Sequence, residues 1–180
     1  MAVRYWIDTC FARIDAAEYG LCRCINRGTS RVSVRHIFRV ASRLGDGVVW
    51  YVLMLALPLL YGDSGIRPAV GMALSGVVGL LLYKGLKRVV VRERPFITHV
   101  GISLGAAPLD RYSFPSGHTL HAVSFTWQAV ASFPELGWVL IPLTGMIAAS
   151  RVVLGLHYPT DVLAGAALGA SLAVAATSFV

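Results

Sequence analysis

Val162 to Val180 reads VLAGAALGASLAVAATSFV and carries no charged residue. Its length is close to the roughly 20 apolar residues that cross a bilayer as one helix. Four more apolar runs lie upstream: Val48 to Tyr61, Ala69 to Tyr83, Thr119 to Phe133 and Leu136 to Leu154. The first three are short for a span and must borrow flanking turns. The second run has Gly71, Ser75 and Gly79, and the last has Ala164, Gly165, Gly169 and Ala173, so both present small faces. Such faces let helix backbones approach closely, which predicts that these two helices sit inside the bundle.

Composition agrees with this pattern. Of 180 residues, 56% are apolar or aromatic and only 14% charged, against roughly 25% charged in a soluble domain. Mean hydropathy is +0.67. A soluble chain of this size needs more polar surface than this one has. The fold class expected is all-α, a transmembrane helix bundle of about five spans. A basic amphipathic region over residues 1–46 precedes a transmembrane domain over 47–180.

The net charge of +7 is clustered as a bilayer surface demands, so no nucleic-acid partner is expected. Arg4, Arg13, Arg23, Arg27, Arg31, Arg35, Arg39 and Arg43 precede the first apolar run. Lys84, Lys87, Arg88, Arg92, Arg94 and Arg111 share one later connection, and Arg67 stands alone in another. No secretory signal is read in residues 1 to 46. Val3, Trp6, Ile7, Phe11, Ile14 and Ala17, then Val34, Ile37, Phe38, Val40 and Ala41, recur at helical spacing between arginines. These helices either lie on anionic headgroups or pack on the end of the bundle. Cys10, Cys22 and Cys24 are odd in number, which argues against a disulfide framework and leaves reduced, interfacial side chains.

Counting crossings puts the N-terminal region, the loop from Lys84 to His118 and the connection from Arg151 to Asp161 on one face. By lysine and arginine bias that face is cytoplasmic, in a bacterial plasma membrane. Three stretches there hold ionisable residues that a membrane protein keeps only for a purpose. In KRVVVRERP, Lys87 and Arg94 are seven apart, so a helix running through them and ended by Pro95 brings both within about 20° on one face. A basic collar for anionic lipid is the simpler alternative. In SFPSGH, Pro115 suits a helix start, Ser116 offers a hydroxyl and Gly117 allows close backbone approach to an anion beside His118. His121, one turn on, reads as a packing residue. In SRVVLGLHYPTD, Asp161 follows His157 by four, which lets a carboxylate in a first helical turn reach back to an imidazole. A carboxylate on one ring nitrogen leaves the other a free nucleophile.

Together the stretches spell KxxxxxxRP, PSGH and SRxxxxxHxxxD, in that order and separated by apolar segments. This resembles the type 2 phosphatidic acid phosphatase family, the lipid phosphate phosphatases, over roughly Lys87 to Asp161. The family usually has six spans, and here the first is replaced by the arginine-rich region. The resemblance implies that His157 attacks phosphorus, Asp161 orients it, and His118 protonates the leaving group. It implies that Lys87, Arg94, Arg151, the Ser116 hydroxyl and the Gly117 amide hold the phosphate oxygens. Phosphoryl transfer needs charge stabilisation and in-line positioning, which three fixed cations can supply, so no cofactor and no metal are expected. The expected function is hydrolysis of a phosphomonoester or diphosphate of a membrane lipid, of phosphatidate, phosphatidylglycerophosphate or polyprenyl diphosphate type. A lipid phosphotransferase with the same intermediate, or a lipid-binding or transport protein, are the alternatives. The bilayer and the lipid phosphate are the expected partners, and oligomeric state is left open.

Overall fold

The computed structural model describes residues 2–179, with side chains over 9–178. Val3, Trp6 and Ile7, part of the expected apolar face, have side chains outside the described residues, as does Val180 at the end of the last apolar run. Eight α-helices follow one another among the described residues: α1 (Ala2–Asn26), α2 (Val32–Leu44), α3 (Val48–Tyr61), α4 (Asp63–Val89), the single turn α5 (Pro95–Thr98), α6 (Gly117–Ser132), α7 (Gly137–Val153) and α8 (Pro159–Phe179). The five apolar runs correspond to α3, α4, α6, α7 and α8.

Three described helical segments are long and apolar enough to cross a membrane: α4, Pro134–Val153 and Pro159–Ser178. Counting α2 and α3, bent by 51° at their junction, as one broken span makes four. The expected count of about five also included α6, which has only 16 residues and buries Ser124, Thr126 and Gln128 inside the bundle. Its polar side chains are satisfied there: Gln128 Nε2 donates to Ser75 Oγ at 2.9 Å, and the Thr126 and Thr144 hydroxyls pair at 2.6 Å. A polar helix of this kind is stable among neighbours that complete its hydrogen bonds, not against lipid.

Small residues decide how the helices meet. A Cβ on Gly165 would lie 2.5 Å from the Ser116 carbonyl oxygen, and one on Gly169 would lie 2.3 Å from that of Leu120. Only glycine lets α8 approach the backbone of α6 this closely. On α4, Gly71, Ser75 and Gly79 are buried, but Leu74, Val77 and Leu81 are exposed, so the helix turns only its small face inward and does not sit inside the bundle as expected. The main core gathers Trp50, Leu57, Met72, Ala122, Phe125, Ala129, Phe133, Leu140 and Ile147.

The N-terminal helices make contacts with the bundle end, while Ile37 and Val40 of the expected apolar face of α2 are exposed. Asn26 donates to the carbonyls of Val153 and Ser103 at 2.9 and 3.0 Å and accepts from the Ser103 amide at 2.8 Å. Arg39 Nε donates to the Gly105 carbonyl at 2.8 Å. Cys22, expected at the interface, is buried with Ile102, Val152 and Tyr158 under α1, while Cys10 and Cys24 are exposed. Tyr19 and Ile25 of α1 pack against the same cluster, so Cys22 is a packed side chain and not an interfacial one.

Candidate active site

The ends of five helices converge on one side of the bundle. Lys87 occupies the last turn of α4, His118 the first turn of α6 and Arg151 the last turn of α7. Asp161 is in the first turn of α8, and Asp46 sits in the turn before α3. His157 lies between α7 and α8.

Lys87 and Arg94 meet by a different route from the single helix expected. Helix α4 stops at Val89, and Val90 and Arg94 are extended. Three β-branched residues, Val89 to Val91, weaken a helix here. Pro95 forces Arg94 out of the helical region and itself starts α5. Glu93 pairs with Tyr112, and the Ser113 amide donates to the Arg92 carbonyl at 2.8 Å, which holds the segment extended. Asp110 then joins the two cations: its carboxylate accepts from Lys87 Nζ at 2.7 and 2.9 Å and from Arg94 Nη2 at 2.8 Å. Burial opposes charge on Asp110, but Lys87 and Arg94 outweigh it and hold the carboxyl below its usual range.

Arg94 also fixes the state of His157. Its Nη1 donates to the Leu156 carbonyl at 2.8 Å and to His157 Nε2 at 3.1 Å. A guanidinium has only protons to give, so Nε2 must present a lone pair and Nδ1 must carry the ring proton. Nδ1 faces Asp161 Oδ2 at 3.6 Å. Burial, then the charges of Arg94, Arg151 and Lys87, push the His157 pKa well below its usual value, so the imidazole is neutral. Across the cavity His118 Nε2 pairs with Asp46 Oδ1 at 2.6 Å. Arg151 is 2% exposed, donates from Nη1 to Ser42 Oγ, and its Nε has no hydrogen-bond partner among the described residues. A buried guanidinium with an unused donor is a site prepared for an anion.

These groups line a cavity of about 470 Å³. Lys87, Arg94, Gly117, His118, Arg151 and His157 form its polar end, with Asp46 and Asp110. The remaining wall is largely apolar and comes mostly from α3 and α4, including Trp50, Met54, Ala73, Val77 and Leu80. Asp161 stands behind the wall, against His157. The Ser116 hydroxyl, expected to hold phosphate, is turned instead to Thr119, whose Oγ1 lies 3.0 Å away, and Ser116 caps α6. Its amide donates to the Asp161 carbonyl at 3.0 Å, which ties SFPSGH to the start of α8. His121 approaches the Gly76 carbonyl at 3.2 Å and stacks on Phe125, and it also lines the cavity beside Phe125.

Three residues of this end escaped the sequence reading. Asp46 and Asp110 lie outside the motifs, and Arg92, at an unspecified position within the first of them, reads as one more juxtamembrane cation. Scarcity was the available signal: the chain has nine acidic residues, and all but Asp63 and Glu135 fall on this side.

A family model described as PAP2 superfamily matches residues 65–180, more than half of the chain. The chain belongs to the PAP2 superfamily. Among relatives, an undecaprenyl-diphosphatase of Bacillus subtilis, BcrC, is 32% identical over 117 residues, 64% of this chain and 60% of that protein. The decaprenylphosphoryl-5-phosphoribose phosphatase of Mycolicibacterium smegmatis is 33% identical over 131 residues, 71% of this chain and 68% of that one. The chain thus spans about three fifths to two thirds of the length of these relatives. The crystal structure of Aquifex aeolicus LpxE superposes with a TM-score of 0.74 at 23% identity, covering 90% of this chain and 95% of that one. This PAP2 chain therefore has the fold of a PAP2 membrane protein, with the site just described at one end of the bundle.

Proposed function

We propose that this chain is a lipid phosphate phosphatase working through a phosphohistidine on His157. The observation that carries the reading is the buried His157 whose Nε2 lies 3.1 Å from Arg94 Nη1, beside Lys87 and Arg151, in a cavity that continues into an apolar wall. A phosphate at the polar end replaces the Asp110 carboxylate on Lys87 and Arg94 and takes the unused donor of Arg151. The Gly117 amide, at the start of α6, adds a helix N-terminus. The wall from α3 and α4 accommodates hydrocarbon.

The chemistry follows from these positions. The Nε2 lone pair of His157 attacks phosphorus, and the bond from phosphorus to the leaving oxygen breaks. That oxygen takes a proton from His118, which Asp46 holds in the cavity. The ring becomes cationic, with its Nδ1 proton facing Asp161. Water then attacks phosphorus, giving its proton to His118, and the electron pair of the N–P bond returns to Nε2. No step requires a metal. Both named relatives act, by their names, on polyprenyl carriers, so polyprenyl mono- and diphosphates lead the substrate panel, with phosphatidate and phosphatidylglycerophosphate beside them. Purified protein releasing orthophosphate from at least one member without an acceptor lipid is the expected result. Release only when a second lipid gains the phosphoryl group overturns hydrolysis in favour of transfer.

The site is proposed to face the cytoplasm across a bacterial plasma membrane. With Lys87, Arg94 and Arg151 in the site and Arg92 engaged internally, eleven lysines and arginines remain on that side against Arg67 alone, a bias that orients spans strongly. Val100 is fully exposed in the loop on this side and suits a cysteine probe. Cys22 is buried with its thiol pushed up to about 12, so it stays protonated and unreactive. Val100→Cys with Cys10 and Cys24 replaced by Ser should escape an impermeant maleimide in intact cells and label after lysis. Labelling before lysis reverses the assignment.

A further inference from the structure

Arg92 is buried at 2% exposure, and every one of its five N–H groups is used. Nε donates to Asp15 Oδ1 at 2.9 Å, and Nη2 donates to the same oxygen at 2.6 Å and to Glu18 Oε2 at 2.9 Å. Nη1 donates to Thr160 Oγ1 at 2.8 Å and to Asp161 Oδ1. The guanidinium stacks over the Tyr158 ring, 4.1 Å from its centre. Glu18 also accepts from the Thr160 amide at 2.8 Å and its hydroxyl at 2.7 Å, pinning the first turn of α8. Asp15 and Glu18 are three apart on α1 and so share one helix face. That helix lies wholly outside residues 65–180, the part matched by the family model.

We propose that Asp15 and Glu18 of α1, acting through Arg92, are positioning residues for the phosphohistidine step. The inference rests on His157 being the nucleophile. When His157 carries phosphorus its ring is cationic, and Asp161 is the carboxylate behind it. An arginine serving Asp161 alone would cancel that counter-charge where it is needed. Here one guanidinium is shared among three carboxylates, and four of its five N–H groups go elsewhere. Arg92 therefore fixes the rotamer of Asp161 through Oδ1 while leaving Oδ2, which also accepts from the Tyr158 amide at 2.8 Å, negative toward Nδ1 of His157. The N-terminal helix thereby sets how strongly the intermediate is stabilised without touching substrate.

The test is the Asp15→Asn/Glu18→Gln double variant in full-length detergent-purified protein, with the parent and His157→Ala alongside. It keeps the shape of the acid pair and removes its charge. Turnover should fall about tenfold, as when the outer partners of a histidine are lost. KM and the inhibition constant for orthophosphate, which meets Lys87, Arg94 and Arg151 without bonding to His157, should stay within about twofold, because those three cations are untouched. Asp15→Glu, which keeps the charge, should recover most of the turnover relative to Asp15→Asn. Unchanged kcat in the double variant overturns the proposal. So does a loss of kcat matched by an equal weakening of orthophosphate, the mark of a displaced α1 that distorts the whole site. Failure of the phosphatase reading shows separately, as a parent that releases no phosphate, and it takes this inference down with it.

Discussion

The two ends of the bundle treat charge in opposite ways. At the end bearing His157, Lys87, Arg92, Arg94 and Arg151 are all buried, and the acids around them are shared out with little to spare. At the other end Asp63 and Arg67 are exposed, and the hydrogen bond from Tyr61 to Glu135, 2.8 Å long, lies at the surface. Burying four cations costs several kcal/mol each unless partners and a ligand complete them. A ligand that completes those cations helps to offset that cost, and the contrast points to the same end as the motifs.

The sharpest way to break the comparison is to remove the proposed nucleophile or the proposed acid. His157→Ala and His118→Ala should each lower phosphate release by at least roughly 10³-fold, since the two act as a unit. Expression and detergent solubility should be unchanged. Glu135→Gln, at the far end, should leave turnover at the parent value, and so should His121→Ala. A comparable loss from Glu135→Gln would mean the ends are not functionally distinct.

A smaller effect tests how the busy end is held together. Gly165→Ala places a Cβ 2.5 Å from the Ser116 carbonyl oxygen, which is backbone and cannot swing aside. The start of α6, with Gly117 and His118, must shift away from α8. Misplacing reacting groups by even 1 Å can cost about 10²-fold, and a loss of roughly that order in kcat is expected. Gly85→Ala, on α4 close to Lys87, meets nothing within 4 Å and should be silent. Equal behaviour of the two variants would remove the close approach of α6 and α8 from the account.

Most of this architecture is legible in the chain because apolar runs and turn residues act locally. The five runs match five helices, Pro159 starts α8 as its position suggests, and Asp161 reaches back toward His157. What could not be read depends on contacts between distant residues. Asp110 joins Lys87 to Arg94, and Asp46 meets His118 from 72 positions away. Arg92 is tied to Asp15 from 77 positions away. The helix expected through Arg94 failed for a related reason: seven-residue spacing is equally served by an extended segment when tertiary partners hold its ends.

The smallest effect concerns pH and follows from the burial of His157. Burial, then the charges of Arg94, Arg151, Lys87 and His118, disfavours the imidazolium, so its pKa lies well below 6.5. The sign is fixed: a base whose pKa is depressed stays neutral as pH falls through its ordinary value, and an ordinary histidine would be half protonated at about 6.5. The proposed nucleophile therefore keeps its lone pair there, and the acid limb of kcat/KM should lie below that pH. The same depression means that, below about 6.5, the unfolded chain binds the proton that His157 refuses when folded. Stability contributed by this residue is thus complete above that pH and declines as pH falls toward the folded value. The substrate phosphate has its own ionisation near pH 6, so its titration is measured separately and divided out of the rate. Nitrogen-15 spectra of histidine-labelled protein, with His157 assigned by its loss in His157→Gln, should show a neutral ring at about pH 6.5. A ring half protonated there, together with kcat/KM already halved, would place His157 in water-like surroundings and remove the distinction between the two ends on which the nucleophile assignment relies.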